Sequence, residues 1–294
     1  MPPHFAGKIR TMPPQAVQHY ENFPVASWLC PAKWRPAVAA LYHYARTADD
    51  LADEGDHSPT HRLQCLEAYR QDVHRAQTGL PLQSPWRNTI AAVAEQANRY
   101  QLDWQELLLL LDAFEQDVRF TASGETYRNM DDLLTYCRRS ANPIGRLMLQ
   151  IMGQATPPNI AASDHICTAL QLINFWQDLS VDLPRHRHYV PDSVWDAHHL
   201  PPRTDMRHIP ESAAQQVVAE LVEHARECMQ QGAWLPMAIP GRMGWELRAV
   251  VMGGLRVTER IRTLGYRSWL KRPTVTRADG ARIILRCLAY PYGR

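Results

Sequence analysis

The sequence predicts an all-α fold. Apolar residues recur at three- and four-residue spacing in most segments, as they do along one side of a helix. No segment alternates apolar and polar residues convincingly over the length of a strand. Many of the 22 prolines fall between the periodic stretches, as punctuation.

The elements follow in order. Residues 35–53 read as a helix with Pro36 in its first turn, where a missing N–H costs nothing, and with Val38, Leu41, Tyr42 and Ala45 on one face. Residues 60–77 come next, with Pro59 near the start and Gly79 just past the end. Helices over 85–100 and 104–121 follow. Residues 130–153 are helical but contain Pro143, which should kink or break them, while Gly145 permits close approach of a neighbour. A helix over 163–181 follows. Pro184 and Pro191 bracket a loop, and Pro201, Pro202 and Pro210 mark another. Residues 211–232, 241–265 and 277–288 complete the set. There is no internal repeat, low-complexity tract or linker, so residues 1–294 read as one domain, the first 18 as a loosely ordered segment.

Two acidic motifs carry the chemistry. The first is Arg46-Thr-Ala-Asp49-Asp50-Leu-Ala-Asp53. The second is Gln171-Leu-Ile-Asn174-Phe-Trp-Gln177-Asp178-Leu-Ser-Val-Asp182. Asp49 and Asp53 share one helix face at four-residue spacing, and Asn174, Asp178 and Asp182 form a second stripe with the same step. Like charges so spaced repel by a few tenths of a kcal/mol each, so something must offset them. Taken singly, either motif reads as an ordinary solvated face. Their neighbours, above all Leu170, Leu172, Ile173, Phe175 and Trp176, are those of buried helices, and buried carboxylates need partners. Together the stripes supply the oxygen-rich donors that Mg²⁺ shares with a diphosphate. Arg46 either steadies its own carboxylates or grips phosphate oxygens. Arg185, Arg187 and Tyr189, just past Asp182, suit a phosphate-binding flap or a solvated basic loop. The break around Tyr136, Asn142 and Pro143 is either a packing kink or the mark of a site. Aromatics such as Phe23, Tyr42 and Phe175 are core residues or, beside a diphosphate, faces that stabilise a cation.

Bulk properties narrow the classes. A net charge of +2 with no long basic run does not suggest nucleic-acid binding. Six scattered cysteines without metal-ligand spacing read as reduced thiols of a cytoplasmic protein. No signal-peptide-like segment opens the chain, and its longest aliphatic run, Leu107–Leu111, is far too short to span a bilayer; peripheral contact at the inner membrane face is the most that is expected. No glycine-rich dinucleotide fingerprint, phosphate loop, HExxH or GxSxG motif is present.

These residues together resemble the squalene/phytoene synthase family over roughly residues 22–272. Both motifs fit that family's DxxxD pattern. Tyr42 and Arg46 precede the first, Gln171 and Asn174 precede the second, and Arg187-x-Tyr189-x-Pro191 follows it. The resemblance implies an isoprenoid synthase fold with helices around a central cavity. Mg²⁺ held by Asp49, Asp53, Asn174, Asp178 and Asp182 would then bridge to a substrate diphosphate steadied by Arg46, Arg187, Tyr189, Gln171 and Asn174. Within the family the chain is most similar to the branch that makes hydroxysqualene for hopanoid biosynthesis, through residues 21–27, 136–145 and 174–178. Condensing relatives usually carry a Ser/Lys-rich stretch before the position of Phe23 and an arginine at that of Gln177. Their absence argues for one diphosphate per turnover, hence presqualene diphosphate and water as substrates, with no NADPH. Phe23 and Tyr136 are expected to line the cavity, and Tyr42, Tyr136 and Asn142 to place the water. A presqualene diphosphate synthase and a hydroxysqualene reductase are the expected functional neighbours. The alternatives are a condensing squalene or phytoene synthase, and a non-catalytic lipid-binding or assembly protein of the same fold.

Overall fold

The computed structural model describes residues 29–291, which form helices and connecting turns with no strand among the described residues. Helix α1 is Arg35–Asp53, α2 Pro59–Gln77, α3 Arg87–Tyr100 and α4 Trp104–Ser123. The next two are α5, Met130–Ser140, and α6, Asn142–Met152; α7 is Pro157–Gln177 and α8 Leu179–Asp182. A 3₁₀ turn, Leu183–Arg185, leads to α9, Asp192–Ala197. The last four are α10 (Glu211–Gly232), α11 (Leu235–Ala238), α12 (Gly241–Thr263) and α13 (Arg277–Leu288). None is long and apolar enough to cross a membrane.

Helix α7 is the axis of the molecule. Its Leu172, Ile173, Phe175 and Trp176 are all buried, and it packs against α5, α6, α10 and α12. Close approach to it depends on glycine. A Cβ on Gly145 of α6 would lie 2.3 Å from Ser163 Oγ, and one on Gly232 of α10 would lie 2.3 Å from the Ala162 carbonyl oxygen. Helix α1 packs against α2, α3 and α4 on the other side. There Tyr44 is fully buried and donates to the Leu107 carbonyl at 2.8 Å.

Most boundaries fall where the sequence places them, and three differ. Helix α7 begins at Pro157, because Thr156 caps it by accepting from the Asn159 N–H at 3.4 Å. The break near Pro143 falls at Ala141, leaving Pro143 in the first turn of α6, where its ring is tolerated. The expected unbroken helix through the second motif is interrupted at Asp178. The cause is Ser180, whose N–H donates to the Ser268 carbonyl at 3.1 Å instead of back along the helix. Asn174, Asp178 and Asp182 therefore form a bent stripe, although Asp182 N still donates to the Asp178 carbonyl at 2.9 Å.

Candidate active site

Three elements bring the acidic residues together. The last turns of α1 carry Arg46, Asp49, Asp50 and Asp53. The end of α7 and the whole of α8 carry Asn174, Asp178 and Asp182. The loop after α8 turns back at His186, which adopts a left-handed conformation (φ +59°), and the Arg187 N–H donates to the Asp182 carbonyl at 3.1 Å. That turn sets the Arg187 guanidinium between the motifs. It donates to Asp53 Oδ1 and lies 3.8 Å from Asp182 Oδ1. Arg185 approaches the other Asp53 oxygen at 3.7 Å. On α1, Arg46 reaches Asp49 at 3.2 Å and Asp50 at 2.8 Å.

The remaining motif aspartate is held from a segment that the sequence did not single out. Arg272 donates through Nε to Asp178 Oδ1 and through Nη2 to Oδ2 at 3.3 Å. Gln177 donates from its side-chain amide to the Pro273 carbonyl at 2.8 Å, which fixes the same segment. Gln171 and Asn174 are half-buried on α7, and their side chains make no hydrogen bond among the described residues.

A second missed residue is Asp117 of α4. It keeps some access to the space between the motifs yet lies deep among the surrounding helices, and it accepts a 2.6 Å hydrogen bond from the Tyr136 hydroxyl. Burial raises its pKa to about 7; the Tyr136 hydrogen bond and Arg187 pull the other way, and Asp49 and Asp53 add to the rise. Asp182 is also raised to about 7, chiefly by burial, with Arg187 opposing and Asp178 adding. The signal for Asp117 was in the sequence: it continues the buried stripe of Leu110 and Ala113 on an otherwise apolar helix face. Arg272, in a proline-flanked tail, gave no comparable signal.

An aromatic wall stands behind these groups. Tyr189 stacks on Phe175 with ring centroids 3.8 Å apart and planes 12° from parallel. Tyr136 lies 6.2 Å from Phe175, 6.3 Å from Tyr189 and 5.7 Å from Tyr127. Tyr42 is half-buried on α1 against the edge of the His43 ring. Asn142 is 2% exposed, and its Oδ1 accepts from Thr168 at 2.9 Å, which leaves its amide N–H groups and one oxygen lone pair uncommitted among the described residues. Phe23 lies outside the described residues. Two grooves, of about 520 Å³ between α2 and α4 and about 450 Å³ between α12 and α13, both lie away from the motif aspartates.

The donor set fits a hard divalent cation in chemistry, since it offers carboxylate oxygens, the Asn174 amide oxygen and nothing soft. Among the described residues, no three acidic, histidine or cysteine side chains already surround a single point. The carboxylates are instead engaged by arginines: Asp49 and Asp50 by Arg46, Asp53 and Asp182 by Arg187, and Asp178 by Arg272.

The two raised carboxylates predict an unusual pH dependence for the metal-free protein. A carboxyl whose folded pKa lies above its unfolded value stabilises the fold fully below the unfolded pKa, near 3.8, and loses that contribution as pH rises through about 7. Each group contributes at most about 1.4 kcal/mol per pH unit over that window. His188, whose pKa burial lowers, acts in the opposite sense. Urea midpoints in EDTA should therefore respond to pH between 4 and 7 less steeply upward with acid in Asp182→Asn than in the parent. Parallel curves for the two proteins would show that Asp182 is ionised throughout.

The sequence pattern of the squalene/phytoene synthase family matches residues 16–279. A hydroxysqualene synthase from Zymomonas mobilis is 37% identical over 183 residues, which cover 60% of this chain and 57% of that protein. The chain thus spans less than two thirds of that relative's length. A presqualene diphosphate synthase from Rhodopseudomonas palustris is 30% identical over 72% of each chain. The crystal structure of squalene synthase HpnC from Alicyclobacillus acidocaldarius is 31% identical, covers 84% of this chain and 90% of its own, and superposes with a TM-score of 0.72. A dehydrosqualene synthase shares the isoprenoid synthase fold at 16% identity and a TM-score of 0.79. With one family pattern running through both aspartate motifs and a solved relative superposing along most of the chain, the protein belongs to the squalene/phytoene synthase family.

Proposed function

We propose that the protein converts presqualene diphosphate and water to hydroxysqualene and diphosphate. The observation that carries this reading is Gln177. A neutral amide stands there, and it is spent on the Pro273 carbonyl rather than left for a phosphate. The cations beside the motifs (Arg46, Arg185, Arg187 and Arg272) all already engage their aspartates. That complement suits one diphosphate better than two. The hydroxysqualene synthases among the relatives are also the more similar ones, at 33–37% identity against 28–30% for the presqualene diphosphate synthases.

Binding begins with the arginines. Arg46, Arg187 and Arg272 turn from their aspartates to the diphosphate oxygens, with Tyr189, Gln171 and Asn174 beside them. Asp49, Asp53, Asn174, Asp178 and Asp182 are the residues that would hold Mg²⁺, which when bound supplies Lewis acidity to the leaving group. The carbon–oxygen bond breaks with its electron pair departing on diphosphate. The aromatic wall of Phe175, Tyr189 and Tyr136 excludes water and stabilises the cation through ring quadrupoles. The Tyr136 hydroxyl gives its proton to a hydrogen bond with Asp117, so its oxygen is left as an acceptor. A water donating to that oxygen presents its own lone pair to the cation. The new carbon–oxygen bond forms, and the water's second proton leaves to the departed diphosphate or to solvent. No reductant is consumed.

A second reading, condensation of two prenyl diphosphates, has one observation in its favour: the relative matching over 72% of both chains is a presqualene diphosphate synthase. Incubating the pure protein with Mg²⁺ and either presqualene diphosphate or farnesyl diphosphate, in ¹⁸O-water and without NADPH, separates the two. The expected result is ¹⁸O-labelled hydroxysqualene from the former and little or no product from the latter. Efficient condensation of farnesyl diphosphate would overturn the reading, as would squalene formed on adding NADPH. A protein inert toward both substrates would favour a lipid-binding role.

A further inference from the structure

Helix α13 has two apolar faces, and only one is covered. Ile283, Cys287 and Tyr290, spaced on one side with Asp279, face inward. On the opposite side Ile284, Leu285 and Leu288 are 64–66% exposed. A helix rotates about 100° per residue, so this second stripe is centred nearly opposite the packed one. The helix is not loosely attached. Asp279 is 2% exposed, bonds Arg256 and Arg260 of α12, and closes a capping box with Thr276. Tyr290 just beyond donates to the Ala233 carbonyl at 2.8 Å, and Arg286 pairs with Glu259. The exposed stripe is therefore held rigidly outward.

We propose that this face of α13 docks the protein on an anionic lipid bilayer. The charge around the stripe selects the partner. Arg277 and Arg282 on the same helix, and Lys271 ahead of it, form no ion pair among the described residues. The only acid on α13 is Asp279, which is buried and spent on two arginines. A second copy meeting this face symmetrically would set these cations against one another, which disfavours self-association. A bilayer interface accepts both features: aliphatic side chains enter below the headgroups while arginines reach up to the phosphates. Beside the stripe, the 450 Å³ groove between α12 and α13 is lined by Met252 and Leu255 and by Arg226, Glu259, Arg282 and Arg286; Arg286 pairs with Glu259 and Arg226 with Glu223, which leaves Arg282 as its cation without an ion pair among the described residues.

The segment ahead of α13 also reaches the candidate site. The segment that leads into α13 gives the Ser268 carbonyl to Ser180, Arg272 to Asp178 and the Pro273 carbonyl to Gln177. Docking on α13 would hold the second aspartate motif close to the membrane, where an amphiphilic prenyl diphosphate resides. Only this delivery role rests on the function proposed above; the docking itself does not.

The test is co-sedimentation of the full chain with vesicles of phosphatidylcholine alone or with phosphatidylglycerol added, at low and high salt. Binding should be roughly tenfold tighter to the anionic vesicles and weaken with salt. Leu285→Glu/Leu288→Glu should lose binding by roughly tenfold or more. The same variant should keep its melting temperature and its turnover of detergent-dispersed presqualene diphosphate. Arg277→Gln/Arg282→Gln should lose the preference for phosphatidylglycerol while retaining weak binding to neutral vesicles. Equal binding by parent and both variants would overturn the proposal. So would a concentration-dependent dimer, seen by light scattering, that the leucine variant abolishes without change in vesicle binding. Turnover without vesicle binding would sink the docking and leave the enzyme reading intact; vesicle binding without turnover would do the reverse.

Discussion

Replacing Asp178 with asparagine is expected to lower turnover of presqualene diphosphate by about 10²–10⁴, or roughly 3–5 kcal/mol of barrier. Asp178 and Asp182 are the carboxylates of the second motif, and Asp178 lies where α7 ends, so it can turn toward a ligand without unwinding a helix. Asparagine keeps size and one oxygen but removes the charge that a divalent cation needs. Asp53→Asn should behave alike from the first motif. Neither change is free for the fold. The sequence suggests that removing a like charge costs a helix nothing, but in the structure each aspartate already neutralises an arginine, Asp178 with Arg272 and Asp53 with Arg187. These pairs are partly exposed, so a loss of about 1 kcal/mol is expected from each, between surface and buried values. Arg272→Gln serves as the control. It breaks the same ion pair as Asp178→Asn, so it should match that variant in stability; because Arg272 also turns to the diphosphate, it should raise KM for the substrate while keeping far more of kcat at saturating substrate and Mg²⁺. Full activity in EDTA, or in either asparagine variant, would remove metal from the site.

The fold was legible where local signals agree with packing. Helices α1, α10 and α13 fall on their expected residues because a proline opens α1 and α10, a Thr276–Asp279 capping box opens α13, and the apolar spacing agrees with each. The break at Asp178 was not legible. Its cause is a hydrogen bond from Ser180 to Ser268, a partner 88 residues away (268 − 180) that no local pattern announces. The site divides the same way. The two aspartate stripes are local repeats and stood out at once. That Arg187 would stand between them depends on a left-handed turn at His186, a conformation histidine tolerates better than most residues but does not announce. Arg272 and Asp117 belong to the site only because α4 and the segment before α13 are folded against it. Phe23 falls outside the described residues, so its place in the cavity remains a proposal carried by the family resemblance alone.

Changing Tyr136 to phenylalanine should separate ionisation from water capture. In the parent, Tyr136 is 3% exposed, its hydroxyl is engaged by Asp117 at 2.6 Å, and burial pushes its own pKa well above the ordinary tyrosine value. It is therefore neutral, with its proton pointed at the carboxylate and its oxygen open to a donor. Phenylalanine keeps the ring against Phe175, Tyr189 and Tyr127, so cation stabilisation and packing survive. What goes is the hydroxyl oxygen proposed above to orient the water. Diphosphate release should stay within about tenfold of the parent, roughly 1.4 kcal/mol or less. The yield of hydroxysqualene per diphosphate released should fall by about 10- to 100-fold, with alkenes from proton loss or rearranged alcohols in its place. Asp117, deprived of its donor, should take up a proton more readily, because the Tyr136 hydrogen bond is the strongest influence holding its pKa down. Asn142→Leu is the matched comparison. That change strands the Thr168 hydroxyl and should cost about 1–3 kcal/mol of stability. It should shift the products only if the Asn142 amide N–H also touches the water. A Tyr136→Phe enzyme that releases diphosphate and still gives hydroxysqualene alone would take Tyr136 and Asp117 out of water capture and leave Asn142 and Tyr42 as the groups to examine.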